Sequence, residues 1–178
     1  MSLSFIKVPE YDLTLSNNNV VKYRPFLIKE EKVLLMAVES RDEAEMNNAL
    51  INIVQSCTIS KIDVTKLPVY DFEYLWLNIR GKSVGEQIDL KLKCPDDEKQ
   101  TVDYSLKIED VKPDLNKKFE RKVEFEKDYG VIMKVPTIKH ISNKKTLLDL
   151  SYGLVRDCID QIYNGDEVFE SPDLSAKE

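Results

Sequence analysis

Residues Asp71 to Glu86 read DFEYLWLNIRGKSVGE, and how this stretch is read decides the fold. Phe72, Leu75, Trp76 and Ile79 follow the i, i+3, i+4, i+7 spacing of one helical face. Tyr70, Tyr74, Leu77 and Val84 line a second stripe, with Gly81 falling between the two. A helix that is apolar on two sides has to be covered on two sides. Each large apolar side chain contributes roughly 1.5–3 kcal/mol when fully buried, and a small domain is stable by only about 5–15 kcal/mol. Either the rest of the chain wraps this helix, or another protein does. An aromatic stripe is more often core than binding surface, so both readings stay open. Arg80 and Lys82, just beyond the stripes, read as the polar rim of an interface or as solvated charges. The candidate partner-binding residues are Tyr70, Tyr74, Trp76, Leu77, Arg80 and Lys82.

Working outward, Pro68 suits the start of this helix and Gly85 its end. Thr58 to Leu67 is a connector. Before it, Ser40-Arg41-Asp42-Glu43 matches a capping box and predicts a helix running to about Cys57. Met46, Leu50, Ile53, Val54 and Cys57 supply its inner face. A first helix is expected over Lys29 to Glu39, with Val33, Leu34, Ala37 and Val38 inward, so the two form a helical hairpin. Residues 1–25 read as a β-hairpin. Tyr11 to Leu15 and Val20 to Tyr23 are its extended runs, and Ser16 to Asn19 its turn.

Beyond Glu86 the period changes to two. Ile88, Leu90 and Leu92 alternate with Asp89, Lys91 and Lys93, and Val102, Tyr104, Leu106 and Ile108 alternate again after a polar turn at 94–100. Phe119 to Phe125 and Gly130 to Val135 add two short strands around a turn at Lys127-Asp128-Tyr129. A last helix is expected from Lys145 to Tyr163, with Leu147, Leu150, Leu154, Cys158 and Ile162 on one stripe and Asn164-Gly165 as its stop. The polar tail from Ser171 follows. The fold class is α+β: an N-terminal hairpin, a three-helix central unit, an antiparallel β-hairpin region and a C-terminal helix. The expected domains are 1–85, hairpin plus helices; 86–136, antiparallel β; and 137–178, a helix and tail packing back on the helical domain.

Composition narrows the function. The net charge is −6 with basic and acidic residues interspersed, which argues against nucleic-acid binding. No apolar run approaches the roughly 20 residues that cross a bilayer, and the N-terminus lacks the pattern of a signal peptide. Three widely spaced cysteines fit free thiols in a reducing cytoplasm. Five glycines leave no glycine-rich nucleotide loop. His140 is the only histidine and reads as a surface or capping residue. Asp42, Glu43 and Glu45 favour the first turn of a helix through its dipole. Asn164-Gly165-Asp166-Glu167 lacks the ligand spacing of a calcium loop. Cys94-Pro95 lies on a hairpin turn where zinc ribbons place paired cysteines, but the position three residues on is Asp97. No catalytic residue, metal or cofactor is expected, and the turn reads as a degenerate zinc-ribbon-like one.

Several blocks together carry a resemblance. They are Tyr23 to Lys32 (YRPFLIKEEK), Leu34 to Ser40 (LLMAVES), Leu67 to Leu77 (LPVYDFEYLWL) and Arg80 to Glu86 (RGKSVGE). Gly130 to Pro136 and Cys158 to Val168 add to them. With these the chain resembles the T4-like bacteriophage baseplate family, hub subunits or hub assembly proteins of contractile tails. The resemblance implies a non-enzymatic protein of the virion tail baseplate, or of the host cytoplasm during assembly, whose partners are other baseplate hub or tail proteins. Many relatives carry a paired-cysteine turn where this chain has Cys94 and Asp97, and many continue past Ser171–Glu178, so the chain is expected to be a short or processed member. One rival is a tail assembly chaperone shielding a tape-measure-type protein. A rival of another class is an envelope-degrading hydrolase, against which the lone histidine and missing nucleophile motif count.

Overall fold

The computed structural model describes residues 7–96, 99–113, 120–142, 146 and 148–170. The chain folds as two compact units, one formed by Met1–Val64 with Tyr70–Asp114, the other by Thr65–Val69 with Leu115–Glu178. Helices and antiparallel sheets alternate along it, so the fold is α+β.

The first unit opens with strands β1 (Tyr11–Thr14) and β2 (Val20–Tyr23), paired antiparallel as the alternation requires. Asn18 takes a positive φ of 63° in the turn, a conformation asparagine tolerates well. The hairpin buries Leu13, Leu15, Val21 and Tyr23. Helix α1 (Ile28–Ser40) follows, and its first turn is closed by Glu30, whose carboxylate accepts from the Leu27 N–H at 2.8 Å. The same carboxylate takes a 3.0 Å hydrogen bond from Arg24. Arg24 also donates to the carbonyls of Pro25 (2.9 Å) and Ser56 (3.1 Å).

Helix α2 (Glu43–Cys57) starts two residues later than the capping-box reading places its cap. Its N-cap is Asp42, whose carboxylate accepts from the N–H groups of Ala44 (2.8 Å) and Glu45 (3.1 Å). Ser40 instead closes α1, its hydroxyl donating back to the Ala37 carbonyl at 2.8 Å and accepting from the Asp42 N–H at 3.3 Å, while Arg41 turns the chain at φ 57°. Ala49, Ile53, Val54 and Cys57 are buried. Val33, Val38 and Met46, expected inward, are exposed; α1 rests on its Glu30–Leu34–Ala37 stripe instead.

The connector holds a 3-10 turn at Val64–Lys66 with Val64 fully buried. Helix α3 (Val69–Val84) then buries Phe72, Leu75 and Ile79 as its spacing predicts. It also buries Asp71, which accepts from the Ser16 backbone (2.9 Å) and hydroxyl (2.7 Å) and so ties α3 to the first hairpin. Gly85, at φ 144°, ends the helix. Strands β3 (Gln87–Lys93) and β4 (Thr101–Lys107) pair antiparallel over seven rungs without a bulge.

The second unit is a four-stranded antiparallel sheet in the order β5-β6-β7-β8: Lys122–Glu126, Tyr129–Met133, Ile159–Asn164 and Glu167–Glu170. The 86–136 stretch thus divides between two sheets. The long C-terminal helix is corrected. After the short helix α4 (Ile138–Ser142), a π-helical turn (Asp149–Gly153) leads into α5 (Leu154–Asp157), and the chain becomes strand from Ile159. Ile159, Ile162 and Tyr163 fit either period over so short a run, and ladder partners on both sides decide for strand. Asn164-Gly165, read as a helix stop, begins the β7–β8 hairpin, with Gly165 at φ 62°. Lys145, Leu147 and the Ser171–Glu178 tail lie outside the described residues, as do Asp97 and Phe119.

Two tests follow from this packing. A Cβ at Gly130 would fall 2.3 Å from both the Val123 carbonyl and the Tyr163 hydroxyl. Gly130→Ala is therefore expected to lower stability by roughly 1–3 kcal/mol in urea unfolding, because the blocking atom is backbone. Burial pushes the Glu30 carboxyl up, but the Arg24 and Leu27 hydrogen bonds and the charges of Arg24 and Lys29 outweigh it and hold it below its ordinary range. A depressed carboxylate contributes stability above its unfolded pKa and loses it as pH falls through the folded one. Thermal melts should show Glu30→Gln weaker than the unaltered chain at pH 7, with the gap closing below about pH 4.

Candidate functional site

The β3–β4 hairpin separates its residues by face. Ile88 stands opposite Leu106, Leu90 opposite Tyr104 and Leu92 opposite Val102, three rungs of one apolar face. Gln87, Asp89, Lys91 and Lys93 with Thr101, Asp103, Ser105 and Lys107 make the other. On that polar face Ser105 donates to Asp89 at 2.6 Å and Gln87 also reaches Ser105. A polar face with such pairs is at home in water, whereas the apolar face is not. Leu90, Leu92, Val102 and Tyr104 are nonetheless exposed. A two-stranded ribbon is marginal by itself, so a covering layer would add stability as well as contact.

The hairpin is rooted on α3. Ile108 is buried, and its N–H donates to the Glu86 carbonyl at 2.9 Å. Its side chain approaches so closely that a Cβ at Gly81 would meet Ile108 Cδ1 at 2.8 Å. This explains a glycine within a helix, where it costs about 1 kcal/mol relative to alanine. Beside the root, Lys82 pairs with Glu86 and sits 4.9 Å from the Tyr11 ring centre. The groove lined by Asn78, Gly81, Lys82, Glu86, Ile108 and Glu109 holds only about 150 Å³, below the roughly 300 Å³ of ordinary ligand sites.

A second apolar surface lies on α1. Ile28 is 83% and Met36 60% exposed, and Val33, Leu35 and Val38 accompany them. Sequence periodicity missed it because Val33 to Val38 is an unbroken apolar run, so spacing alone cannot tell the covered side from the open one there.

The six residues predicted on the central helix do not form one patch. Tyr70 is exposed, Tyr74, Leu77 and Arg80 are half-buried, and with Glu73 and Val84 they share the outer side of α3. Trp76 lies nearer the core and stacks on Phe26, with ring centres 6.1 Å apart. Lys82 projects from the opposite side of the helix to Arg80, being two residues on, and is held by Glu86 and Tyr11.

His140 stands at a helix entrance, where Nδ1 accepts from the Thr137 N–H at 3.1 Å just before α4. Cys94 is half-buried at the mouth of the hairpin turn. Among the described residues no three His, Cys, Asp or Glu side chains gather as a metal site would, and no helix is long and apolar enough to cross a membrane.

Among the described residues, the β3–β4 face and the open side of α1 carry prominent exposed apolar side chains. A family model described as T4 bacteriophage base plate protein matches residues 8–178. The chain belongs to that family, and it serves the phage tail baseplate in a structural or assembly role alongside other baseplate and tail proteins. Comparison with curated proteins and with solved structures gave no match.

The thiols offer a check on the geometry. Burial pushes the Cys57 thiol up to about 11, and Cys158 is buried. Brief iodoacetamide treatment at neutral pH, read by peptide mass, should label Cys94 first and leave Cys57 and Cys158 unmodified until the chain is unfolded.

Proposed function

We propose that this protein is a non-enzymatic subunit of the central hub of the baseplate, holding neighbouring tail proteins by burying apolar surface. The hub assignment draws on the resemblance of the Tyr23–Lys32 and Leu67–Leu77 blocks to hub proteins of contractile tails. The observation that carries the binding role is the apolar β3–β4 face, where the Leu90–Tyr104 and Leu92–Val102 rungs are exposed beside the half-buried Ile88–Leu106 rung on an otherwise highly charged chain. Contiguous exposed apolar surface of this kind marks protein contact sites. The α1 surface, with Ile28, Leu35 and Met36, offers a second contact, and the outer side of α3, with Tyr70, Tyr74, Leu77 and Arg80, a third. Several separate surfaces suit a protein that joins neighbours.

Leu92→Lys combined with Tyr104→Lys is the direct test. Both side chains are exposed, so the folded state should change by no more than about 0.5 kcal/mol per site. Recovery of tail proteins by the tagged chain from infected cells should fall at least tenfold, the loss expected when an interface anchor is removed. Mass spectrometry of purified particles should find the chain in the virion; its absence there, with tail proteins still recovered from cells, would make it an assembly factor.

A further inference from the structure

We propose that the free edge of β4 accepts an extended strand from another tail protein, turning the two-stranded hairpin into a three-stranded sheet. This rests on the baseplate-binding reading and names the form the partner takes there.

The ladder itself shows which backbone groups are available. Ile108 donates to Glu86 at 2.9 Å and Cys94 donates to Gln100 at 3.0 Å, one rung at each end of the hairpin. In an antiparallel pair the bonded rungs recur at every second residue. The bonded rungs between them are therefore Ile88 with Leu106, Leu90 with Tyr104 and Leu92 with Val102. Thr101, Asp103 and Ser105 turn their N–H and C=O groups away from β3, and among the described residues no other strand pairs with them. Such a row is satisfied by water or by another strand.

Exposed edges are usually guarded by lysines, bulges, prolines or short length. The other edges here follow that practice. β3 carries Lys91 and Lys93; β5 has a bulge between Glu124 and Glu126; β1 has four residues; β8 has four and a glutamate at each end. β4 is seven residues long with no proline and a regular register, and its one lysine, Lys107, stands at the rooted end, paired with Glu109. Its apolar residues are also the more open ones, Val102 at 59% and Tyr104 at 51% against 48% and 36% for their partners Leu92 and Leu90. The apolar face thus runs out to an edge that no lysine guards from Thr101 to Leu106.

Charge selects among strands. Asp103 sits in the middle of the edge, opposite Lys91 in the ladder but in no ion pair within 4.0 Å among the described residues, on a chain of net charge −6. The fitting occupant has apolar residues beside Val102 and Tyr104 and a lysine or arginine beside Asp103, an alternating apolar-basic-apolar segment.

Hydrogen exchange decides this on the unmodified chain. In the free protein the amides of Thr101, Asp103 and Ser105 should exchange quickly. In the complex of tagged protein and tail proteins recovered from infected cells they should slow at least tenfold. Asp103→Pro removes the carboxylate together with an outward-facing N–H, a loss an edge strand tolerates, so its circular dichroism and melting temperature should hold while recovery of tail proteins drops tenfold or more. Asp103→Asn, which keeps the N–H, should lose less. If tail proteins are recovered and the three amides exchange as fast as in the free chain, strand addition is wrong and the baseplate reading stands. If no tail protein is recovered at all, both fall.

Discussion

A single guanidinium ties the first hairpin, α1 and α2 to one another. Arg24 leaves the first hairpin, bonds the carboxylate that closes the first turn of α1, and donates to the Ser56 carbonyl in the last turn of α2. Two consecutive elements and the end of α2, 32 residues beyond Arg24, therefore meet on one cation with little access to water. Breaking such a partly buried, hydrogen-bonded pair leaves a charge stranded, which is why its loss is more costly than that of a surface ion pair. The Asp71 carboxylate plays the matching part at the other end, fixing the start of α3 to the turn of the same hairpin. Between these two polar clasps lie the buried side chains of the hairpin, α2 and α3.

The block that most specifically carries the family resemblance, Tyr23 to Lys32, proves to be the structural joint just described. Its residue types are demanded by internal geometry: an arginine with five donors, a glutamate at the third helical position, a proline that keeps Arg24 extended. The β3–β4 face proposed for partner contact lies outside this block, whereas Ile28 of the proposed α1 contact lies within it.

Much of the architecture was legible in the residues. The first hairpin, three helices and the β3–β4 hairpin follow from period and turn chemistry, because each buries one face and marks its ends. The buried Phe72, Leu75 and Ile79 face follows from spacing alone. The C-terminal part did not yield to the same reading, since Cys158 to Tyr163 is short and apolar enough for either helix or strand, and only its neighbours in space choose. The open surface of α1 was hidden for a related reason: Val33 and Val38 look like core until one knows which side α2 covers. Trp76, the most conspicuous residue, turned out to be half-committed to Phe26. Asp71 and the Gly81–Ile108 contact were invisible because both depend on partners distant in sequence.

That last contact has a mechanical meaning. The β3–β4 hairpin is a cantilever, clamped where Ile108 beds against Gly81 and free along its outer rungs. Loads and substitutions near the tip stay there, because the chain between tip and clamp carries no core residue of the helical unit. A tail that must fit an altered neighbour can rewrite Leu92, Val102 and Tyr104 without redesigning the body that displays them, whereas a side chain at Gly81 would loosen the mounting and swing the whole arm.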